Sequence, residues 1–359
     1  MGRNLIERLR RTPEYTVLQF DVTETEETLN GFLKEADVVF HLAGVNRPEH
    51  DDAFITGNAD LTMRIVARLV ERKDKPLLVL ASSIQAAMDN PYGRSKRKAE
   101  DALEEYGAVG GDAVIIRLPN VFGKWSRPNY NSAVATFCHN IARGLEVTIS
   151  DHDRIVELIY IDDVVDAFTG LMDEPAQIGT RRIGVGPVTP IALGALVDEI
   201  TLIHDIRAGH MLPDMDDRFR RALYATYLSF LPENDFAYGL VKKEDQRGAL
   251  AEFLKSPCFG QIFVSHTKPG SVRGNHFHDT KVEKFLVLAG DAMIRFRHIT
   301  DDDVVSYPVS GTDFRVVDIP PGYTHSIENV GDQELVVLFW SSEIYTPTAP
   351  DTYPRLVSA

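Results

Sequence analysis

The sequence predicts an α/β protein in which a doubly wound parallel sheet is followed by an all-β antiparallel barrel or sandwich. The first half alternates strand-like and helix-like segments, and its strand-like runs are apolar throughout, as strands covered on both faces are. From about residue 260 the pattern changes to short strands separated by Gly, Pro and Asp turns. A length of 359 residues also exceeds one ordinary domain.

Taken in order, NLIERLRR has helical spacing and YTVLQF reads as a short strand. EETLNGFLKEA is helical again, and DVVFHLAG is a buried strand that stops at a glycine. LTMRIVARLVERK returns to helix and PLLVLASS to strand. YGRSKRKAEDALEEYG is a long amphipathic helix, and AVIIRLPNVFG another strand. The polar, turn-rich stretch LPENDFAYGLVKKEDQRG, residues 231–248, marks the boundary, so domains are expected at 1–240 and 246–359. Beyond it QIFVSHTKPG, EKFLVLAG, DAMIRFRHI, VVSYPVSG, RVVDIPPG and ELVVLFW read as strands. There is no internal repeat and no low-complexity tract.

Composition narrows the function. Hydrophobic residues make up 44% and charged residues 25%, ordinary values for a soluble globular chain. The net charge of -15 argues against a nucleic-acid partner, which needs a basic face, but leaves room for local basic pockets that hold phosphorylated small molecules. The two cysteines, Cys138 and Cys258, form no CxxC or pairing pattern, which favours a cytoplasmic protein without disulfides. MGRNLIERLRR lacks the apolar stretch of a signal peptide, and no apolar run approaches bilayer length, so no membrane partner is expected.

Two constellations carry chemistry. In LASSIQAAMDNPYGRSK, Ser82 and Ser83 end a strand, Tyr92 opens the next helix, and Lys96 follows four residues on. Positions i and i+4 share a helix face, so Tyr92 and Lys96 can serve one point. A phenol that exchanges protons near neutrality needs a depressed pKa, which a nearby ammonium supplies, and a serine hydroxyl can hold a carbonyl oxygen. A Tyr and Lys at this spacing alone are most often a plain helix surface, but the Ser-Ser strand end and the upstream HLAG raise the functional reading above that.

With HLAG (41–44), Ser83, Tyr92, Lys96, RLPNVFG (117–123) and IYIDDVVDAF (159–168), the first half resembles the extended short-chain dehydrogenases that act on nucleotide sugars, whose sheet is Rossmann-like. That resemblance implies Tyr92 as general acid, Lys96 as its pKa-lowering partner and nicotinamide-ribose ligand, and Ser83 as the residue that polarises the carbonyl. It further implies cofactor contacts at Gly2, Ala43, Gly44, Tyr92, Lys96 and Pro119. The nucleotide diphosphate falls to Asn120, Asn129 and Asn131 in and around KWSRPNYNS, with Arg154 as a phosphate partner, because a guanidinium pairs bidentately with phosphate oxygens. Arg154 alone could equally be a solvated surface residue. NAD(P)H is the implied hydride donor, with NADPH the expected form; Asp21, after the second strand-like run, would favour the ribose hydroxyls of NAD, so the choice stays open. The family begins with a strand and a glycine-rich turn, whereas this sequence begins MGRNL. Gly2 would be the last glycine of that turn and the first strand is missing, which points to a true start further upstream.

The second constellation is GNHFHDTKVEKFLVLAG, residues 274–290, with PPGYTHSIEN further on. His276 and His278 would point to one face of a strand, Glu283 would join from the neighbouring strand and His325 from another. Three imidazoles and a carboxylate suit a divalent transition metal such as zinc. An HxH pair alone is usually half-exposed surface. The full set with Gly270, Gly290, Pro320, Gly322 and Asn329 resembles the two-part signature of the cupin barrels over residues 250–345, with Phe314 replacing a usual turn glycine.

Together with HLAGVNRPEHD, SSIQAAMDNPYG, FGKWSRPNYNSAVATFC and LYATYLSFLP, the whole chain resembles the bifunctional capsule and O-antigen enzymes that form UDP-N-acetyl-L-talosamine towards UDP-N-acetyl-L-fucosamine. The resemblance implies that the barrel epimerises C3 of a UDP-2-acetamido-2,6-dideoxy-4-hexulose and the first half reduces its C4 ketone. His266, Lys284 and Tyr323 are unranked acid-base candidates, and the metal could be catalytic or structural. A homodimer is implied by resemblance. Two rival readings remain: a metal-bound dimerisation module attached to a single-activity enzyme, and a first half that is catalytically inert.

Overall fold

The computed structural model describes residues 1–46, 50 and 54–358. It divides into two compact units: 1–201 with 222–231, and 202–221 with 232–359. Residues 202–221 therefore group with the second unit rather than with the chain that precedes them.

The first unit is built on a parallel sheet ordered β1 (Val38–His41), β2 (Leu77–Ser83), β3 (Asp112–Leu118), β6 (Gly179–Ile183). Alternate residues of the central strands enter two cores. Val79, Ala81, Val114 and Ile116 pack on one face with Leu5 and Leu9 of α1 (Gly2–Leu9) and Val164 and Phe168 of α6 (Ile161–Gly170). Leu78, Leu80, Ala113 and Ile115 pack on the other with α2 (Glu26–Glu35), α3 (Leu61–Val70) and α4 (Pro91–Ala108). Two covered faces are why these strands read as continuous apolar runs rather than alternating ones. Beside this sheet, β4 (Asn120–Phe122), β5 (Ile155–Tyr160) and β7 (Val188–Ala192) form a smaller one. Pro119 separates β3 from β4 and so divides the expected strand AVIIRLPNVFG in two; it has no N–H for a ladder. Helix starts follow their caps: the Thr25, Asn90 and Ser132 side chains accept from the backbone amides of Thr28, Gly93 and Ala135 and open α2, α4 and α5 (Ala133–Ile141).

YTVLQF does not form the expected strand. Its residues join no ladder, while Val17 packs on one core and Phe20 on the other. β1 pairs with β2 on one side, and among the described residues no strand lies on its other side. A run of this kind becomes a strand only where a neighbour takes its N–H and C=O groups, and none does so among the described residues.

The second unit is antiparallel throughout its ladders. One sheet is ordered β15 (Val316–Ile319), β12 (Glu283–Ala289), β17 (Leu335–Ser341), β10 (Gly260–Thr267), β9 (Gly248–Ser256), β8 (Lys242–Asp245). The other is ordered β14 (Val304–Ser310), β13 (Asp291–His298), β16 (Tyr323–Asn329), β11 (Val272–Phe277), β18 (Tyr353–Pro354). The sheets enclose Phe285, Val287, Ile294, Phe296, Ile327 and Phe339, with the Phe285 and Phe339 rings edge-on at 4.6 Å. This is the expected cupin-like barrel, and Lys242–Asp245, read as linker, is instead an exposed edge strand. Further elements are α7 (Leu193–Ala208) and α8 (Arg218–Leu228).

Candidate active site and metal centre

In the first unit β2 delivers Ser83 to the carboxyl end of the sheet, and α4 starts nearby. Gly93 makes this approach possible: a Cβ there would stand 2.2 Å from Gln85 O and 2.6 Å from Met88 O. Tyr92 is therefore held beside Ser83, with its ring packed 5.8 Å from that of Phe54. Burial pushes the Tyr92 phenol above its usual value, and hydrogen bonding to Ser83 pulls it partly back. This differs from the expected lysine-lowered phenol. Lys96 Nζ donates to Ala81 O at 3.2 Å and lies 5.9 Å from the Tyr92 ring centroid. A protonated phenol is the form that donates a proton. Burial also lowers Lys96 itself to about 8, against the pull of Glu100.

The supporting residues escaped sequence reading. Asn58 Oδ1 accepts from Val45 N at 2.9 Å, and its Nδ2 donates to Val45 O at 3.1 Å and Ser95 Oγ at 3.0 Å. Ser95 in turn donates to Tyr92 O at 2.7 Å. This network ties the loop after β1, with Ala43 and Gly44, to α4. Gly44 has no room for a side chain, since a Cβ would be 2.7 Å from Asn58 Oδ1 and 3.1 Å from Lys96 Nζ. One turn beyond Lys96, buried Glu100 takes Arg117 in a fork, with Arg117 Nε to Oε1 at 2.9 Å and Nη2 to Oε2 at 2.6 Å, and accepts from Ser82 Oγ at 2.5 Å. The signal was present as Tyr92, Lys96 and Glu100 at successive i+4 steps along one face.

The other candidates lie as follows. Gly2 opens α1 and Pro119 links β3 to β4. Asn120, Asn129, Asn131 and Arg154 are all exposed; Asn120 Nδ2 donates to Glu157 O at 3.0 Å, and Asn129 has φ of 54°. Asp21 is exposed and accepts from Val22 N at 2.7 Å. Residues 47–49 and 51 of HLAGVNRPEHD lie outside the described residues.

In the second unit the four expected metal ligands converge. One ligand atom from each of His276, His278, Glu283 and His325 lies within 4.8 Å of all the others. The sequence achieves this with a bulge. Between Gly274 and His276 the ladder to β16 shifts register, with φ of 92° at Gly274 and 59° at Asn275, and His276 then opposes His325. A Cβ at Gly274 would meet His325 O at 2.7 Å, so only glycine lets the strands approach here.

The arrangement fits a cation. His278 Nε2 and His325 Nε2 are buried without a hydrogen-bond partner, 3.3 and 3.6 Å from Glu283 Oε2. Four ligands at zinc bond lengths of about 2.0–2.1 Å would be spaced by roughly 3.3 Å in a tetrahedron. Burial would raise the Glu283 carboxyl, but the flanking His278 and His325 outweigh it and hold it well below the usual carboxylate range. Burial, with His325 and His278 alongside, lowers His276 to about 4, so it is neutral and free to ligate.

In the same unit, a cavity of about 460 Å³ is lined by Phe296, Tyr307, Arg315, Val317 and Tyr323, among others, and by none of the four candidate ligands. The Phe296 ring is 6.5 Å from that of His325, and the Arg315 guanidinium lies 5.5 Å over the Tyr307 ring. Of the acid-base candidates, Tyr323 faces this cavity. His266 is exposed and bonded to Glu334 at 2.9 Å, and Lys284 is exposed and paired with Asp318.

A helix-covered parallel sheet with serine, tyrosine and lysine gathered at its carboxyl end defines the class of dinucleotide-dependent enzymes to which nucleotide-sugar epimerases and reductases belong. Residues 2–186 match the NAD dependent epimerase/dehydratase family, and residues 243–353 match the polysaccharide biosynthesis C-terminal domain. The chain is 40% identical over 354 residues, 98% of its own length and 95% of the relative's, to a UDP-2-acetamido-2,6-beta-L-arabino-hexul-4-ose reductase from Pseudomonas aeruginosa. It superposes with a TM-score of 0.90 on the crystal structure of the capsular polysaccharide assembling protein CapF from Staphylococcus aureus, at 44% identity, covering 99% of this chain and 96% of that one. A UDP-glucuronic acid 4-epimerase from Bacillus cereus, solved with NAD, shares the fold of the first unit at 17% identity and a TM-score of 0.54, over 64% of this chain and 94% of that one. The chain belongs to the NAD dependent epimerase/dehydratase family and is an enzyme of nucleotide-sugar biosynthesis.

Proposed function

We propose that the first unit reduces the C4 ketone of a UDP-2-acetamido-2,6-dideoxy-4-hexulose with NAD(P)H, NADPH being the expected form. The second unit epimerises C3 of the same sugar, so that the two steps yield UDP-N-acetyl-L-talosamine. Support comes from two complete residue sets in one chain, Ser83–Tyr92–Lys96 and the His276–His278–Glu283–His325 quartet, together with near full-length likeness to a 4-hexulose reductase. The order follows from chemistry: the C3 proton is acidic only while C4 is a ketone, so epimerisation precedes reduction.

Bound nicotinamide supplies the hydride for C4. Tyr92 donates its proton to O4 as the alkoxide forms, and burial keeps that proton in place until then. Ser83 Oγ hydrogen-bonds the same oxygen and fixes the sugar's orientation. Gly44 lets Asn58 and Lys96 pack against the backbone of the loop on which the cofactor would lie. In the second unit His276, His278, Glu283 and His325 would hold a divalent metal, zinc by expectation, that supplies positive charge to the oxyanion formed when C3 loses its proton. Tyr323 and Arg315 line the cavity; in this reading Tyr323 would exchange that proton and Arg315 would pair with the diphosphate. A cytoplasmic homodimer completes the proposal.

The test separates the reactions. Tyr92→Phe should lower NAD(P)H oxidation by about 10²–10⁴-fold, while deuterium from D₂O still enters at C3 without nicotinamide. His325→Ala should abolish the exchange. Unchanged oxidation in the tyrosine variant removes the reductase assignment. Failure of the wild-type chain to incorporate deuterium at C3 removes the epimerase and leaves the barrel as a structural or dimerisation module.

A further inference from the structure

The C-terminal segment folds back over the strand that carries two of the quartet's histidines. Tyr353 and Pro354 pair with Phe277 and His276 of β11. Arg355 N donates to Asn275 O at 2.8 Å, Thr324 Oγ1 donates to Arg355 O at 2.6 Å, and Arg297 donates to Val357 O at 2.7 Å and Leu356 O at 2.8 Å. The segment thus touches β11, β13 and β16. At its head stands Asp351. One carboxylate oxygen accepts from Asp279 N at 2.8 Å; the other accepts from Thr280 N at 2.9 Å, Lys281 N at 2.7 Å and Thr280 Oγ1 at 3.1 Å. Three successive amides of the turn between His278 and Glu283 are gathered by one side chain. The same residue's backbone carbonyl is bonded to His278 Nδ1.

We propose that Asp351 is the positioning residue of the metal centre, a clasp that presets His278 and Glu283 for their cation; this rests on the reading of the quartet as a metal site. A carbonyl oxygen only accepts, so His278 Nδ1 must carry the proton. A ring held this way can turn only Nε2, the atom 3.3 Å from Glu283 Oε2, towards a cation. The carboxylate completes the arrangement. Without it, the amides of residues 279, 280 and 281 lose their acceptor, and the turn that spaces His278 from Glu283 is free to open. Asp351 thus fixes both the tautomer of one ligand and its distance to the next, the role outer groups play around metal-bound histidine.

The test uses full-length protein stripped of metal with a chelator. Cobalt(II) is titrated by its visible spectrum, zinc by competition with a chromophoric chelator, and amide exchange is followed in the metal-free state. Asp351→Ala should weaken metal binding about 10–100-fold, alter the cobalt spectrum and speed exchange at residues 279–281, while β12 and β17 keep wild-type protection. Asp351→Asn, which retains one acceptor oxygen but turns an amide donor on the other amides, should fall between the two. Wild-type affinity with an unchanged cobalt spectrum in Asp351→Ala overturns the proposal. Should that variant not fold, wild-type affinity in Asp351→Asn overturns it equally. Wild-type protein that takes up neither ion refutes the metal reading itself, an outcome distinct from failure of the clasp.

Discussion

Lys96, a candidate site residue, departs from what stability alone would choose. Burial lowers its pKa to about 8 from the 10.5 of a free lysine, with Glu100 opposing. Below about 8 both the folded and unfolded chains hold the proton, and the whole cost of burying the ammonium is felt. Between 8 and 10.5 the unfolded chain binds more protons, so stability rises with pH, and above that range the cost is gone. Lys96→Met should therefore stabilise the cofactor-free protein at pH 7, by at most about 3 kcal/mol, while abolishing reductase activity. Urea unfolding should show the advantage shrinking towards pH 10. A variant less stable than wild type at pH 7 would contradict this account of the amine's surroundings. Tyr92 and Lys96 were legible because their spacing on a helix is a pattern. Asn58 and Asp351 were not, because each works through backbone partners that are distant in sequence: Asn58 reaches Val45, and Asp351 reaches residues 279–281.

At the scale of elements, the candidate metal quartet depends on turns as much as on strands. Gly274 and Asn275 adopt positive φ and shift β11 so that His276 meets His325. Phe314 adopts φ of 46° in the turn before β15, a conformation that costs a non-glycine residue about 1–2 kcal/mol. The residue is 73% exposed and contributes little packing in return. Phe314→Gly should be neutral to stabilising, by up to about 1 kcal/mol once the greater freedom of glycine in the unfolded chain is subtracted. Thermal unfolding measures it, and a clear loss of stability would mean the exposed ring packs against something essential. The substitution of phenylalanine at this glycine position was visible in the sequence, as were the apolar strands and the helices of the first unit. YTVLQF misled because composition favours a strand, whereas a strand also needs a neighbour, and residues 15–20 receive none among the described residues. Lys242–Asp245 was missed for the converse reason: an all-exposed edge strand carries no hydrophobic pattern, and only its pairing with β9 defines it.

The molecule as a whole contains separate cores. One unit is organised around the two faces of β2 and β3, the other around the aromatic interior between its two sheets. Each buries its own apolar surface, and cooperative unfolding follows such units rather than chain length. The metal-free protein should therefore unfold in two transitions. All four ligands belong to the second unit, in or beside strands β11, β12 and β16. A ligand that binds only the folded form stabilises it by RT ln(1 + [L]/Kd), about 2.7 kcal/mol at a hundredfold excess over Kd. Zinc should accordingly raise one transition and leave the other in place, while NADPH should raise the other. Calorimetry gives the two midpoints, and hydrogen exchange assigns them: zinc should slow exchange in residues 272–285 and 323–329 but not in β2 or β3. A single transition moved equally by either ligand would show that the two cores fold as one, and the chemistry of each site could then no longer be perturbed without the other.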